Sequence, residues 1–225
     1  MKQIATIAAL LSDETRITML VCLLTGKALT AGELARAANV LPQTASMHLS
    51  KLLQANLINC TAAGRHRYYH LANAEVAQAI ESIALLTPTQ VITKPGFNKA
   101  SAELCFARTC YDHLAGSLGV NLTQALMRRG YFFQEDKQFI LTRVGDVFFS
   151  SLGIDSAKLR QQKRVFAKCC MDWTERQYHL AGALGGTLLN SLLAKHWIIK
   201  AKQGRAVFLT AEGRRIFVNE LGLRL

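Results

Sequence analysis

The feature that most restricts how this chain can fold is a repeat inside its second half. HLAGSLGVNLTQALMRRG, running on to LTRVGDVFFSSLGI, is matched by HLAGALGGTLLNSLLAKH, running on to LTAEGRRIFVNELGL. His113 aligns with His179 at an offset of 66, and Gly145 with Gly213 at an offset of 68. Two gapped matches of this quality are hard to obtain by chance. Two copies are too few for a solenoid, so the spacing predicts one pseudo-symmetric domain in which they pack on each other. Each copy reads as a helix opened by its histidine, a short hairpin-like strand pair, LTxxG, then a second helix. The copies span about 104–155 and 169–225 of a domain expected over 101–225.

Residues 1–86 have a different pattern, a string of short helices followed by a hairpin. Ser12 or Asp13 can cap a helix with Ile17, Leu20, Val21 and Leu24 on its apolar face, ended by Gly26. Thr30 caps a second, TAGELARAA, with Glu33 completing a capping box. A third begins near Pro42, a residue suited to a first helical turn, and turns Ala45, Leu49, Leu52 and Leu53 inward. LINC and RYYHL read as strands joined at Gly64. Asn73 caps a last helix carrying Val76, Ala79, Ile80 and Ile83. Residues 87–100 hold two of the three prolines and no helical period; they are expected to link the two parts. The fold class is therefore mainly α with small β-hairpins.

Helix, tight turn, helix and then a β-hairpin is the recipe of a winged helix, whose second helix fits the major groove while the hairpin follows the backbone. With the apolar stripe inward, Gln43, Thr44, Ser46, His48 and Lys51 are expected to project outward. Short hydrogen-bonding groups plus a cation suit base edges and phosphates, although alone they would equally suit a solvated helix face. The hairpin tip adds Arg65, His66 and Arg67, placed to meet phosphates or the minor groove.

SDETRITMLVCLL, TAGELARAANVLPQTASMHLSKLLQANLI and AAGRHRYYHL together resemble the arsenical-repressor (ArsR-type) winged-helix family over about residues 5–86. The resemblance implies a homodimer joined through the first and last helices of this domain, and a repressor released from double-stranded DNA by a chemical signal. It implies base contacts from Gln43, Thr44, Ser46 and His48, and a wing role for Arg65 and Arg67. Two departures stand out. The Cys-x-Cys pair that metal-sensing members often hold in the second helix is absent from ELARAA, and EVAQAIESIALL lacks the histidine of the alternative zinc site. The repeats themselves look like degenerate winged helices: WIIKAKQGRAVFLTAEGRRIF reads as strand, turn, strand, LT and helix.

The chain of 225 residues carries a net charge of +12, which favours a polyanionic partner. Residues 1–95 hold 8 Lys/Arg against 5 Asp/Glu, and residues 96–225 hold 19 against 10. Most of the excess thus lies beyond the winged helix, where it can meet phosphates or an anionic effector. No apolar run approaches the roughly 20 residues of a membrane span, and the N-terminus reads as an amphipathic helix, so no membrane partner and a cytoplasmic location are expected. No phosphate loop, nucleophile elbow or paired-histidine metalloprotease motif is present, and no enzyme is predicted.

A signal can enter through the thiols and histidines of the second half. Six cysteines in a core-rich chain read as reduced, with Cys22 in the core. CFARTCYDHLAG brings together Cys105, Cys110, Asp112 and His113; AKCCMDWTERQYHLAG brings together Cys169, Cys170, Asp172, Trp173, Glu175 and His179. Packing groups, redox-active thiols near Arg108 and Lys168, and ligands of zinc or another soft metal all remain open readings. The alternative to an effector-responsive regulator is a constitutive architectural or interaction protein.

Overall fold

Polar caps set the helix boundaries of the N-terminal part. Asp13 accepts a hydrogen bond from the Arg16 N–H at 2.9 Å and opens α2 (Glu14–Leu23), which follows α1 (Lys2–Leu11). Thr30 and Glu33 form a reciprocal capping box at α3 (Ala31–Ala37), satisfying two N–H groups that the helix leaves free. Pro42 starts α4 (Pro42–Gln54), and Asn73 caps α5 (Ala74–Ala84). Between the last two helices, β2 (Ile58–Ala63) and β3 (His66–Leu71) form an antiparallel hairpin, turning at Gly64 with φ 59°. A two-residue strand, β1 (Leu29–Thr30), pairs with β3 through Leu29 and Tyr69, giving the order β1-β3-β2. It is too short to leave a period in the sequence. Met19, Leu20, Leu23, Leu34, Ala45, Leu49 and Leu52 are buried together as the core.

The computed structural model describes residues 2–87 and 99–225 and divides into two units, Met1–Ala102 and Glu103–Leu225. The linker expected over 87–100 falls mostly outside the described residues, and its last two positions belong to α6 (Lys99–Phe106).

The second unit repeats one motif. The first copy is β4 (Arg108–Cys110), β5 (His113–Ala115), α7 (Gly116–Arg128), β6 (Phe132–Glu135), β7 (Gln138–Leu141) and α8 (Arg143–Ser151). After α9 (Ser156–Arg160) comes the second: β8 (Lys168–Met171), β9 (Tyr178–Ala181), α10 (Gly182–Ala194), β10 (Ile198–Lys200), β11 (Val207–Leu209) and α11 (Ala211–Asn219). Each copy is therefore hairpin, helix, hairpin, helix. The expectation that His113 and His179 open helices is corrected: both lie on strands, and the helices begin at Gly116 and Gly182. These glycines sit at φ 80° and 81°, where an added Cβ would stand 2.7 Å from the Cys105 carbonyl oxygen and 2.6 Å from that of Val165. No other residue fits this strand-to-helix corner without strain.

The copies exchange strand contacts. The Thr109 N–H donates to Arg205 O and the Val207 N–H to Ala107 O, joining the first copy's leading hairpin to the second copy's trailing one. The Cys169 N–H donates to Lys137 O and the Phe139 N–H to Ala167 O, the same arrangement reversed. Core residues obey the same symmetry: Leu118, Leu122, Leu126, Phe132 and Phe149 match Leu184, Leu188, Leu192, Ile198 and Phe217, and all are buried in one cluster. Apolar burial on both sides of the pseudo-twofold holds the repeats together, at roughly 1.5–3 kcal/mol for each such side chain.

Candidate functional site

In the first unit, α4 has two faces. Ala45, His48, Leu49 and Leu52 are buried, whereas Gln43, Ser46, Met47, Ser50 and Lys51 are exposed and Thr44 is half-buried. An open groove of about 750 Å³ lies between this helix and the hairpin, lined by Thr30, Gly32, Ser46, Ser50, Arg65 and Arg67 among others. Arg65 occupies the turn, while His66 and Arg67 begin β3; all three are exposed. A convex helix beside a cationic hairpin presents hydrogen-bonding groups to base edges and charge to phosphates.

In the second unit, Cys110, His113, Cys170 and His179 bring one ligand atom each within 4.8 Å of all the others. Cys110 stands directly across from His113 in the β4–β5 pair, and Cys170 across from His179 in the β8–β9 pair. Each copy thus contributes one thiol and one imidazole from opposed strand positions, and the imidazoles meet with their Nε2 atoms 3.1 Å apart. Both rings are buried. The other ring nitrogen faces a carboxylate in each case, His113 Nδ1 lying 3.4 Å from Asp112 and His179 Nδ1 3.4 Å from Asp172. The first is a hydrogen bond; the second lacks its alignment, leaving His179 Nδ1 buried without one.

Behind the cluster, Asp172 is fully buried and accepts from Gly116 N–H at 2.7 Å, Thr174 Oγ1 at 2.6 Å and Arg108 Nη2 at 3.0 Å. Burial alone would raise its carboxyl pKa, but Arg108, Thr174 and Gly116 hold it far below the ordinary range. Burial likewise opposes, and Arg164 overrides, at Asp112, whose pKa is also lowered. The thiols go the other way. A hydrogen bond to Cys170 and then burial push Cys110 up to about 11, and burial pushes Cys169 up to about 11 and raises Cys105.

The helix-turn-helix domain family matches residues 11–61. The chain is 44% identical over 222 residues to the uncharacterized HTH-type transcriptional regulator YdfF of Bacillus subtilis (strain 168), covering 99% of this chain and 98% of that protein. The chain belongs to the HTH-type transcriptional regulators. Among solved structures it is similar to reduced HlyU from Vibrio cholerae N16961, at 26% identity and a TM-score of 0.35, over 38% of this chain and 88% of that one. It is also similar to a homodimeric winged helix-turn-helix DNA-binding domain from Mycobacterium bovis, described as a possible ArsR-family regulator. That match has 23% identity and a TM-score of 0.36, over 40% of this chain and 82% of that one.

This HTH-type regulator carries its helix-turn-helix domain in its first unit, and its family is one of transcription regulators, not enzymes. Of the residues expected to contact DNA, Gln43, Ser46, Lys51, Arg65, His66 and Arg67 are exposed, and Thr44 is half-buried. His48 is corrected: it is 7% exposed and lies 3.4 Å from Arg16 Nη1 and 3.6 Å from Asp13. Positions 45, 48, 49 and 52 follow the i, i+3, i+4, i+7 stripe, so the helical period itself points His48 inward. Arg16, also buried, donates to Leu10 O at 2.6 Å and Ala9 O at 3.1 Å, tying the end of α1 to α2.

Of the thiols, the structure separates Cys105 and Cys169 from the cluster. Successive strand side chains point to opposite faces, so β8 sends Cys169 into the core and Cys170 to the histidines. Activation of the thiols by Arg108 and Lys168 is likewise corrected: Arg108 is committed to Asp172, and the pKa values of Cys105, Cys110 and Cys169 are raised. Asp112 and Asp172, which the sequence groups with these thiols and histidines, stand two residues after Cys110 and Cys170, and each faces a histidine Nδ1.

Proposed function

We propose that this HTH-type regulator is a homodimeric repressor that grips duplex DNA through α4 and the β2–β3 wing and releases it when a chemical signal reaches the second unit. The observation that carries the reading is the exposed set Gln43, Ser46 and Lys51 on α4, beside a groove that Ser46, Arg65 and Arg67 line together. Gln43, Thr44 and Ser46 read base edges, while Arg65, His66, Arg67 and Lys51 neutralise phosphates. Dimerisation uses α1, α5 and the turn after α5, where Ile4 is 71%, Ile83 39% and Leu86 85% exposed; large apolar side chains left this open suit a second copy of the same surface. No helix among the described residues is long and apolar enough to cross a membrane, and a repressor of this kind works in the cytoplasm.

The test is a salt titration of DNA affinity. Arg65→Ala/Arg67→Ala should weaken binding to every sequence and flatten the slope of log K against log salt by about 0.9 for each phosphate no longer neutralised. An unchanged slope and affinity would remove the wing from the interface. Repeating the titration with chelator, metal and oxidant separates a regulator, whose affinity changes with one of them, from a constitutive DNA-binding protein.

A further inference from the structure

We propose that Cys110, His113, Cys170 and His179 form a closed tetrahedral site for a zinc-class divalent cation, shared equally between the two repeats of the second unit. Two thiols and two imidazoles are the donor set that selects such an ion over the hard, oxygen-seeking cations. The four ligand atoms already lie within 4.8 Å of one another. Tetrahedral coordination at zinc–nitrogen distances of 2.0–2.1 Å sets two imidazole nitrogens about 3.3 Å apart, and the Nε2 atoms of His113 and His179 stand at 3.1 Å.

The surroundings fit as well as the ligands. A histidine that binds a metal through one nitrogen usually turns the other toward a carboxylate or carbonyl; here Asp112 and Asp172 take that position, each at 3.4 Å. The two Nε2 atoms meet inside a buried site. With both ring protons on Nδ1, a cation between them would accept a lone pair from each. All four positions come from the protein, so the site leaves no place for a substrate and serves structure or sensing rather than catalysis. The second unit also has a large apolar core of its own, unlike a zinc finger, which unfolds without its metal. The ion therefore adjusts how the two copies meet without creating the fold. As the signal for DNA release it deepens the regulator reading and rests on it; binding itself does not.

The full-length chain, reduced and stripped with chelator, is titrated with Co2+. One ion per chain should bind, with the strong visible bands of tetrahedral cobalt and a thiolate charge-transfer band, both abolished by Zn2+. Asp112→Asn, which removes only the carboxylate behind His113, should weaken binding by roughly 10–100-fold with the bands retained. Cys110→Ser and Cys170→Ser should weaken it further and lose charge-transfer intensity, while Cys105→Ser should match the parent. The parent titration needs no variant, so a misfolded mutant cannot hide a negative result. Absence of the cobalt bands in the parent, or their survival in Cys110→Ser/Cys170→Ser, would overturn the site. Arg65→Ala/Arg67→Ala protein keeps the metal site and should bind Co2+ like the parent. A parent that binds DNA but no metal overturns this proposal alone, and one that binds metal but no DNA overturns the regulator reading alone.

Discussion

Arg108 of the first repeat places its Nη2 3.0 Å from both carboxylate oxygens of Asp172 in the second, with neither side chain open to solvent. Trp173 lies against the guanidinium at 5.3 Å, and Leu104 O accepts from its Nη1 at 3.2 Å. A buried pair of this kind joins the two repeats at one point, and Asp172 also organises the Gly116 corner and the Thr174 turn.

Breaking the pair from one side should be costly. Asp172→Leu leaves Arg108 charged and buried, and should destabilise the second unit by about 3–5 kcal/mol. Removing both partners in Arg108→Met/Asp172→Leu should recover part of this loss, because no charge is then stranded. Recovery should stay incomplete, since the Gly116, Thr174 and Glu175 N–H groups still lose their acceptor. Urea unfolding of the four proteins of the cycle measures it; full additivity of the two single losses would show that the residues do not act as a pair.

In the first unit, acid should loosen the start of α2. Burial raises the Asp13 carboxyl, but the Arg16 N–H, the Arg16 guanidinium and His48 together bring its pKa below the ordinary value. A carboxylate lowered by folding contributes stability above its unfolded pKa of about 3.9 and loses it as the pH falls through the folded value. Asp13→Ala should cost about 0.5–2 kcal/mol at neutral pH through removal of the cap. Asp13→Asn keeps a capping oxygen and should mainly reduce the acid sensitivity. Thermal melts of the three proteins at pH 7 and at pH 3 separate cap from charge; equal acid destabilisation in all three would exclude Asp13 as its source.

The faces of α4 should separate by mutation. Gln43→Ala or Ser46→Ala should weaken operator binding by roughly 1–3 kcal/mol while leaving non-specific binding and stability near those of the parent. His48→Ala should do the opposite, lowering the melting temperature through its Arg16 and Asp13 neighbours and leaving base preference intact in the folded fraction. Competition binding against randomised DNA, paired with melting curves, distinguishes them. A change of base preference in His48→Ala would return that histidine to the interface.

Much of the fold is written in local chemistry. Asp13, Thr30 and Asn73 mark helix starts that the chain itself satisfies within three residues, Pro42 opens a helix that has no side-chain cap, and the HLAG and LTxxG repeats disclose the symmetry of the second half. What stays hidden depends on residues far apart. The exchange of strands between copies is carried by backbone groups such as Thr109 and Arg205, which bear no side-chain signature. Cys110 and His113 look like helix neighbours by their spacing, yet a two-residue turn at Tyr111 and Asp112 makes them cross-strand partners. Strand alternation, once the strand is known, divides Cys169 from Cys170; the apolar Ala/Gly-rich sequence that follows each histidine masks the strands by suggesting that the helix begins sooner. His48 is readable from the helical period, and its polarity outweighs that signal in a sequence reading.

The most direct test of the regulator reading is a footprint of the full-length protein on the DNA that it selects from a random pool. An inverted repeat should be protected, with half-sites about 10–10.5 bp apart or a multiple of that. One homodimer should occupy it, and Arg65→Ala/Arg67→Ala protein should lose the protection. A single asymmetric half-site held by a monomer, or protection unaffected by the wing substitutions, would contradict it.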